Sequence, residues 1–133
     1  MNRERKNIII ETLESCVDLN DVDIIQYFNE LQKIGIELNK KKSFKEVFNF
    51  CSVLGNQERL KIIQSLRIKN YCVCELEAIL DKSQSTISHH LRELEKIGLI
   101  RGWKKGKFTH YEVTDEKIVY YLELLKKNIK DTK

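Results

Sequence analysis

Between Leu76 and Gly98 the chain carries two short amphipathic patterns with almost nothing between them. Leu76, Ile79 and Leu80 are spaced as one helical face, and Asp81-Lys82 reads as a tight turn. Ser83 stands where an N-cap belongs, ahead of Ile87, Leu91, Leu94 and Ile97, and Gly98 follows where a left-handed glycine ends a helix. Two helices joined by a three- or four-residue turn, the second capped by serine, predict a helix-turn-helix. Beyond Gly98, Leu99 to Lys104 and Lys107 to Val113 are rich in β-branched and aromatic residues and flank Lys105-Gly106, a hairpin signature. The expected fold is mainly α with a small β-hairpin wing: a winged helix-turn-helix.

The remaining sequence fits around that unit. Of 133 residues, 41% are apolar and 33% charged, a balance that suits a heavily charged helical protein. Apolar runs such as Ile8 to Ile10 are far too short to cross a bilayer, and the basic start lacks a secretory h-region, so no membrane association and a cytoplasmic location are expected. Residues 1-42 read as an N-terminal helical extension. One helix carries Ile9 and Leu13; a second opens at Asn20 and carries Ile24, Ile25, Phe28, Leu31, Gly35 and Leu38. Lys40 to Ser43 reads as a polar linker to the domain at 43-133. There, Phe44, Val47, Phe48, Cys51 and Leu54 form a stripe that places Cys51 in the core, Asn56 caps a helix with Leu60, Ile63 and Leu66 facing inward, and a last helix from Asp115 aligns Ile118, Leu122, Leu125 and Ile129.

Lys and Arg number 24 against 20 Asp and Glu, and the surplus is local. From Lys82 to Lys107, Lys82, Arg92, Lys96, Arg101, Lys104, Lys105 and Lys107 face only Glu93 and Glu95. On the second helix of the motif, Ser85, His89, Arg92 and Lys96 point away from the apolar face, with Gln84, Thr86 and Ser88 on its flanks near the N-terminus. Such side chains can read base edges in a major groove, while Lys104, Lys105 and Lys107 at a hairpin tip suit phosphates. The bland alternative is a solvated helix face. His90 sits beside the apolar face as a structural histidine, and Trp103 and Tyr111 are expected to pack the hairpin onto the domain.

From Leu54 to about Val113 the runs LGNQERLKIIQSL, YCVCELEAIL and SQSTISHHLRELEKIGLI resemble the ArsR/SmtB family of small dimeric repressors, many of which sense metals. Cys72-Val73-Cys74-Glu75-Leu76 is similar to the metal box of that family's arsenic, antimony, cadmium and lead sensors. The resemblance implies a homodimer on a palindromic operator in double-stranded DNA, released by As(III), Cd(II), Pb(II) or Zn(II). Thiolates suit such thiophilic ions, and a helix N-terminus at Cys74 favours the thiolate. The third cysteine often found three residues after the pair is replaced by Glu77, so Cys16 in the extension is the remaining candidate ligand. The last helix contains no histidine for the family's other type of site.

Other functions stay open at this point: a dithiol redox switch at Cys72 and Cys74, a winged-helix module for protein or RNA, and a thiol oxidoreductase. The last is weak, because Cys-x-Cys is not Cys-x-x-Cys and no βαβ pattern surrounds it. No obligatory cofactor is expected, and no nucleophile-base-acid constellation or phosphate-binding glycine loop suggests an enzyme.

Overall fold

A helix begins wherever a short polar side chain can satisfy its first free N–H groups, and the chain uses this device repeatedly. The computed structural model describes residues 1–18 and 23–130, and they divide into two compact units, Met1–Lys41 and Lys42–Lys133.

The first unit is a pair of helices. In α1 (Arg3–Cys16) the Asn2 side chain accepts the Arg5 N–H, and in α2 (Ile24–Lys40) the Asp23 carboxylate accepts the N–H groups of Ile25 and Gln26. Asn20, the cap expected from sequence, lies outside the described residues. Phe28 is the buried side chain of α2, and the Lys6 ammonium stands 5.3 Å from the centre of its ring. The expected polar linker is shorter than the sequence suggests, since α2 runs through Lys40 and the next helix begins at Lys42.

The second unit contains α3 (Lys42–Leu54), α4 (Gln57–Ile68), β1 (Tyr71–Cys72), α5 (Val73–Leu80), α6 (Gln84–Lys96), β2 (Ile100–Lys105), β3 (Phe108–Val113) and α7 (Asp115–Ile129). The strands form an antiparallel sheet in the order β1-β3-β2, with Cys72 opposite His110 and Ile100 opposite Val113. The core is built from Ile62, Leu76, Ile87, Leu91, Leu94 and Leu99, all essentially inaccessible. At its edge Phe50 stacks on Tyr121 with ring centres 4.9 Å apart, and the Tyr121 hydroxyl donates to the Ile97 carbonyl at 3.0 Å.

The α6 terminus shows why glycine is needed at position 98. Gly98 has φ +77°, its N–H donates to the Glu95 carbonyl, and the Leu99 N–H reaches back to Leu94. This paired closure releases the chain directly into β2. In the wing, a Cβ at Gly102 would lie 2.8 Å from the Tyr111 ring, so the aromatic side chain can cross the neighbouring strand only because position 102 is bare.

Three sequence expectations about the core are corrected. Cys51 is exposed, because the buried face of α3 is Val47, Phe50 and Val53 rather than the Phe44-Phe48-Cys51 side. The helix carries two apolar faces, and stacking on Tyr121 selects the one that includes Phe50. Leu60 is likewise exposed while Ile62 is fully buried. In α7 the aligned stripe splits: Ile118 and Leu125 pack against the core, whereas Leu122 and Ile129 face outward. None of the described helices is long and apolar enough to cross a membrane.

Candidate nucleic-acid interface and thiol pair

The interface is assembled from α5, the turn at Asp81 and α6. Asp81 adopts the left-handed conformation at φ 53°, and Ser83 then caps α6 by accepting the Thr86 N–H at 3.3 Å. The Ser83 hydroxyl also donates to Thr86 Oγ1 at 3.0 Å and lies 3.2 Å from Ser85 Oγ, which ties the first turn together. With Ile87, Leu91 and Leu94 anchored in the core, Gln84, Ser85, His89, Arg92 and Lys96 are exposed and Thr86 and Ser88 half-buried. The sequence-predicted residues therefore share the outward side of one helix.

A second contact fixes the roll of that helix. His90 is buried, and its Nδ1 accepts the Arg59 Nε–H at 3.1 Å, while the other arm of Arg59 donates to the Val53 carbonyl. Burial, followed by the adjacent Arg59 guanidinium, holds the His90 imidazole below its ordinary pKa. Sequence reasoning missed Arg59, since nothing local connects it to a histidine 31 residues away. The pairing places a neutral ring between a cation and the core.

The wing carries Lys104 and Lys105 at the end of β2 and Lys107 in the turn beside Gly106, all exposed. The hairpin is shifted one residue from the sequence reading, with Lys105 opposite Phe108 and Gly106-Lys107 at the tip. Trp103 is 38% exposed and stacks on His110 inside the wing; it is not folded under the domain. Within the basic window, Lys82, Lys96 and Arg101 are paired with Glu58, Glu93 and Glu112. Arg92, Lys104, Lys105 and Lys107 have no ion pair among the described residues and project freely.

The two cysteines meet at the start of α5. Cys72 is the last residue of β1 and the N-cap of α5, so its side chain leaves an extended residue while that of Cys74 leaves the first helical turn. This change of backbone direction brings sulfurs that would diverge on a regular strand or helix to 3.1 Å. The Cys72 N–H donates to Glu75 Oε1 at 3.0 Å, which holds the Glu75 carboxyl below its usual range. Cys72 is buried, and burial pushes its thiol pKa up, with the Cys74 sulfur adding to the effect. Cys74 is exposed and opens into a cleft of about 350 Å³ lined by Glu77, Gln84, Lys107, Phe108 and Tyr111. The cleft thus joins Cys74 to the first residue of α6 and to the wing tip. Among the described residues no cluster of three or more His, Cys, Asp or Glu side chains could hold a metal, and Cys16 lies exposed at the end of α1 in the first unit.

A capped helix displaying polar and basic side chains, supported by a second helix and followed by a lysine-tipped hairpin, defines a winged helix-turn-helix protein. Comparison with known proteins agrees. The family model "Bacterial regulatory protein, arsR family" matches residues 56–101. The cadmium resistance transcriptional regulatory protein CadC of Listeria innocua is 38% identical over 79 residues, covering 59% of this chain and 66% of that protein. The arsenical resistance operon repressor of Staphylococcus xylosus is 32% identical over 78 residues, covering 59% and 75%. Reduced HlyU from Vibrio cholerae superimposes with a TM-score of 0.56 at 26% identity, over 70% of this chain and 98% of its own. The chain belongs to the arsR family of transcriptional regulators. It spans about two thirds of the length of the cadmium-resistance relatives.

Proposed function

We propose that the chain is a cytoplasmic, homodimeric repressor that binds a palindromic operator in double-stranded DNA and leaves it when Cys72 and Cys74 take up a thiophilic ion. The observation that carries the DNA reading is the outward side of α6. Gln84, Ser85, Thr86, Ser88 and His89 would meet base edges or the groove wall, Arg92 a base edge and the neighbouring phosphate, and Lys104, Lys105 and Lys107 phosphates, with Lys96 a weaker phosphate contact because Glu93 already holds it. For the dimer, α3 and α7 pack together and leave Phe48, Val119 and Leu122 50% or more exposed on their outer sides, a surface that a second copy would cover. Two recognition helices would then enter successive major grooves.

For the inducer, soft thiolate donors suit As(III), Cd(II), Pb(II) or Zn(II), and relatives bear cadmium- and arsenical-resistance names. The pair supplies two donors; a third would come from solvent, Glu77 or Cys16 of either chain. Uptake requires Cys72 to give up a proton that burial favours keeping, so affinity should rise with pH. The cleft from Cys74 to Gln84 and Lys107 supplies the coupling route. Coupling of a typical 1–3 kcal/mol would weaken operator binding about 5- to 150-fold.

The 3.1 Å sulfur separation also favours a second reading, in which a peroxide-class oxidant takes two electrons, the thiols lose two protons and a disulfide forms. Footprinting on DNA from the neighbourhood of the gene tests the common core of both readings. A protected site with dyad symmetry supports them; protection without sequence preference, or binding to protein or RNA alone, refutes them.

A further inference from the structure

The thiol pair has a bite and a donor count that suit one class of soft ligand, and the cleft beside it narrows that class further. Cys72 and Cys74 hold their sulfurs 3.1 Å apart. Thiolate bonds of about 2.3 Å span about 3.3 Å when they meet near a right angle, as on a pyramidal trivalent atom, and about 3.8 Å when they meet at a tetrahedral angle. The observed bite is close to the pyramidal one. Among the described residues no group of three or more His, Cys, Asp or Glu side chains could hold a metal, so the pair stands as two donors. Beside Cys74 the cleft of about 350 Å³ is walled by Val73, Thr109, Phe108 and Tyr111 as well as Glu77 and Gln84, a size at the lower end of small-ligand sites. Two sulfurs next to a partly aromatic hollow are a poor match for an ion that needs three or four protein ligands.

We infer that the site takes a trivalent arsenic atom carrying one organic group, held by Cys72 and Cys74 with the group lying in the cleft. The inference rests on the thiol pair being the sensing site and names its ligand more narrowly. Trivalent arsenic makes three bonds. Inorganic As(III) has three replaceable oxygens, so at two thiols it keeps one oxygen and forgoes a third sulfur. An organic compound R–As=O has one bond to carbon, which does not exchange, and two positions for sulfur. When it meets the pair, two As–S bonds form, the As=O bond breaks, and the two thiol protons leave with the oxygen as water. Arsenic stays trivalent, and no oxidant or reductant is needed. Cys72 is buried and Cys74 exposed, so the atom is reached from the Cys74 side, where the cleft opens. A ring-sized group there lies against Phe108 and Tyr111 and between Gln84 and Lys107, that is, between the start of α6 and the wing tip.

The test titrates the full reduced chain with arsenite, methylarsine oxide and phenylarsine oxide, counting free thiols and weighing the adducts by native mass spectrometry. Phenylarsine oxide should mask two of the four cysteines and add C6H5As in place of two hydrogens. It should bind about 10-fold tighter than methylarsine oxide through the ring area it buries. Cys16→Ser should leave that affinity unchanged. Thr109→Trp, which fills the cleft from β3, should bring the phenyl compound down to the affinity of the methyl one and leave the methyl compound unaffected. Glu77→Trp narrows the cleft from α5 and takes its place if urea unfolding shows Thr109→Trp to be destabilised. Loss of a third thiol per arsenic, arsenite binding as tightly as phenylarsine oxide, or a phenyl preference that neither variant alters overturns the inference. Repeating the titrations on operator-bound protein separates it from the wider reading. Two-thiol binding with the operator still held keeps this site and rejects sensing, whereas release by arsenite or Cd(II) with no preference for the phenyl compound keeps sensing and rejects this site.

Discussion

Replacing Lys105 with Ala should flatten the salt dependence of operator binding, by an amount that follows from which cations are free. In each chain Arg92, Lys104, Lys105 and Lys107 lack an ion pair among the described residues, whereas Lys82, Lys96 and Arg101 are already held by glutamates. A dimer would then present eight free cations to phosphates. At about 0.9 counterion released per contact, log K against log salt should have a slope of about −7, or roughly 10⁴-fold weaker binding between about 50 and 200 mM salt. Lys105→Ala removes two contacts per dimer and should bring the slope to about −5. Lys96→Ala should change it less, because Glu93 at 3.0 Å already neutralises that ammonium. Fluorescence anisotropy of a labelled operator duplex across a salt series measures all three slopes. An unchanged slope for Lys105→Ala, or an equal change for Lys96→Ala, would refute the assignment of phosphate contacts to free cations at the wing.

Further outcomes follow from the same geometry. Arg92→Ala should leave the fold intact and cost roughly 1–3 kcal/mol on the operator but less on random duplex if the guanidinium reads a base; equal losses on both would limit it to phosphate. Leu91→Ala empties a site that is 1% exposed and should lower stability by about 2–5 kcal/mol in urea unfolding. His90 has a depressed pKa in the fold, so the unfolded chain binds more protons. Its contribution is complete above the free imidazole pKa of about 6.5 and is lost as pH falls from there through the folded value. Protonation at Nδ1 would also point a proton at Arg59, with His89 adding repulsion and Glu58 opposing it. His90→Gln should therefore flatten the stability profile below the free imidazole value of about pH 6.5; an unaltered profile would place the titrating group elsewhere.

Most of the winged helix-turn-helix was legible because its signals are local. Ser83, the apolar spacing of Ile87, Leu91 and Leu94, and Gly98 each act within a turn or two of themselves, and α6 lies where they put it. The elements misread were those whose orientation is chosen by distant partners. In α3, two apolar faces compete on equal terms until Phe50 finds Tyr121, some seventy residues on, and Cys51 is turned outward as a result. The Arg59–His90 bond and the pairing of Cys72 with His110 across the sheet were invisible for the same reason. The closeness of the two sulfurs was partly legible, since a helix N-terminus at Cys74 was expected, although the structure starts the helix one residue earlier, at Val73. The cleft that links Cys74 to Gln84 and Lys107 depends on how the wing folds back toward α5 and left no trace in the spacing of residues.

The central claim is that Cys72 and Cys74 control DNA binding through a thiophilic ion. Operator-bound protein, kept reduced, is titrated with As(III), Cd(II), Pb(II) and Zn(II) and separately with an oxidant, in parallel for the wild type and for the Cys72→Ser/Cys74→Ser variant. At least one of the ions should release the wild type, with an apparent affinity loss of about 5- to 150-fold, while the double variant binds the operator equally well and stays bound. Release of the double variant by the same ion, or a wild type that no ion displaces, contradicts metal sensing through this pair; release by oxidant alone assigns the two cysteines to a dithiol switch.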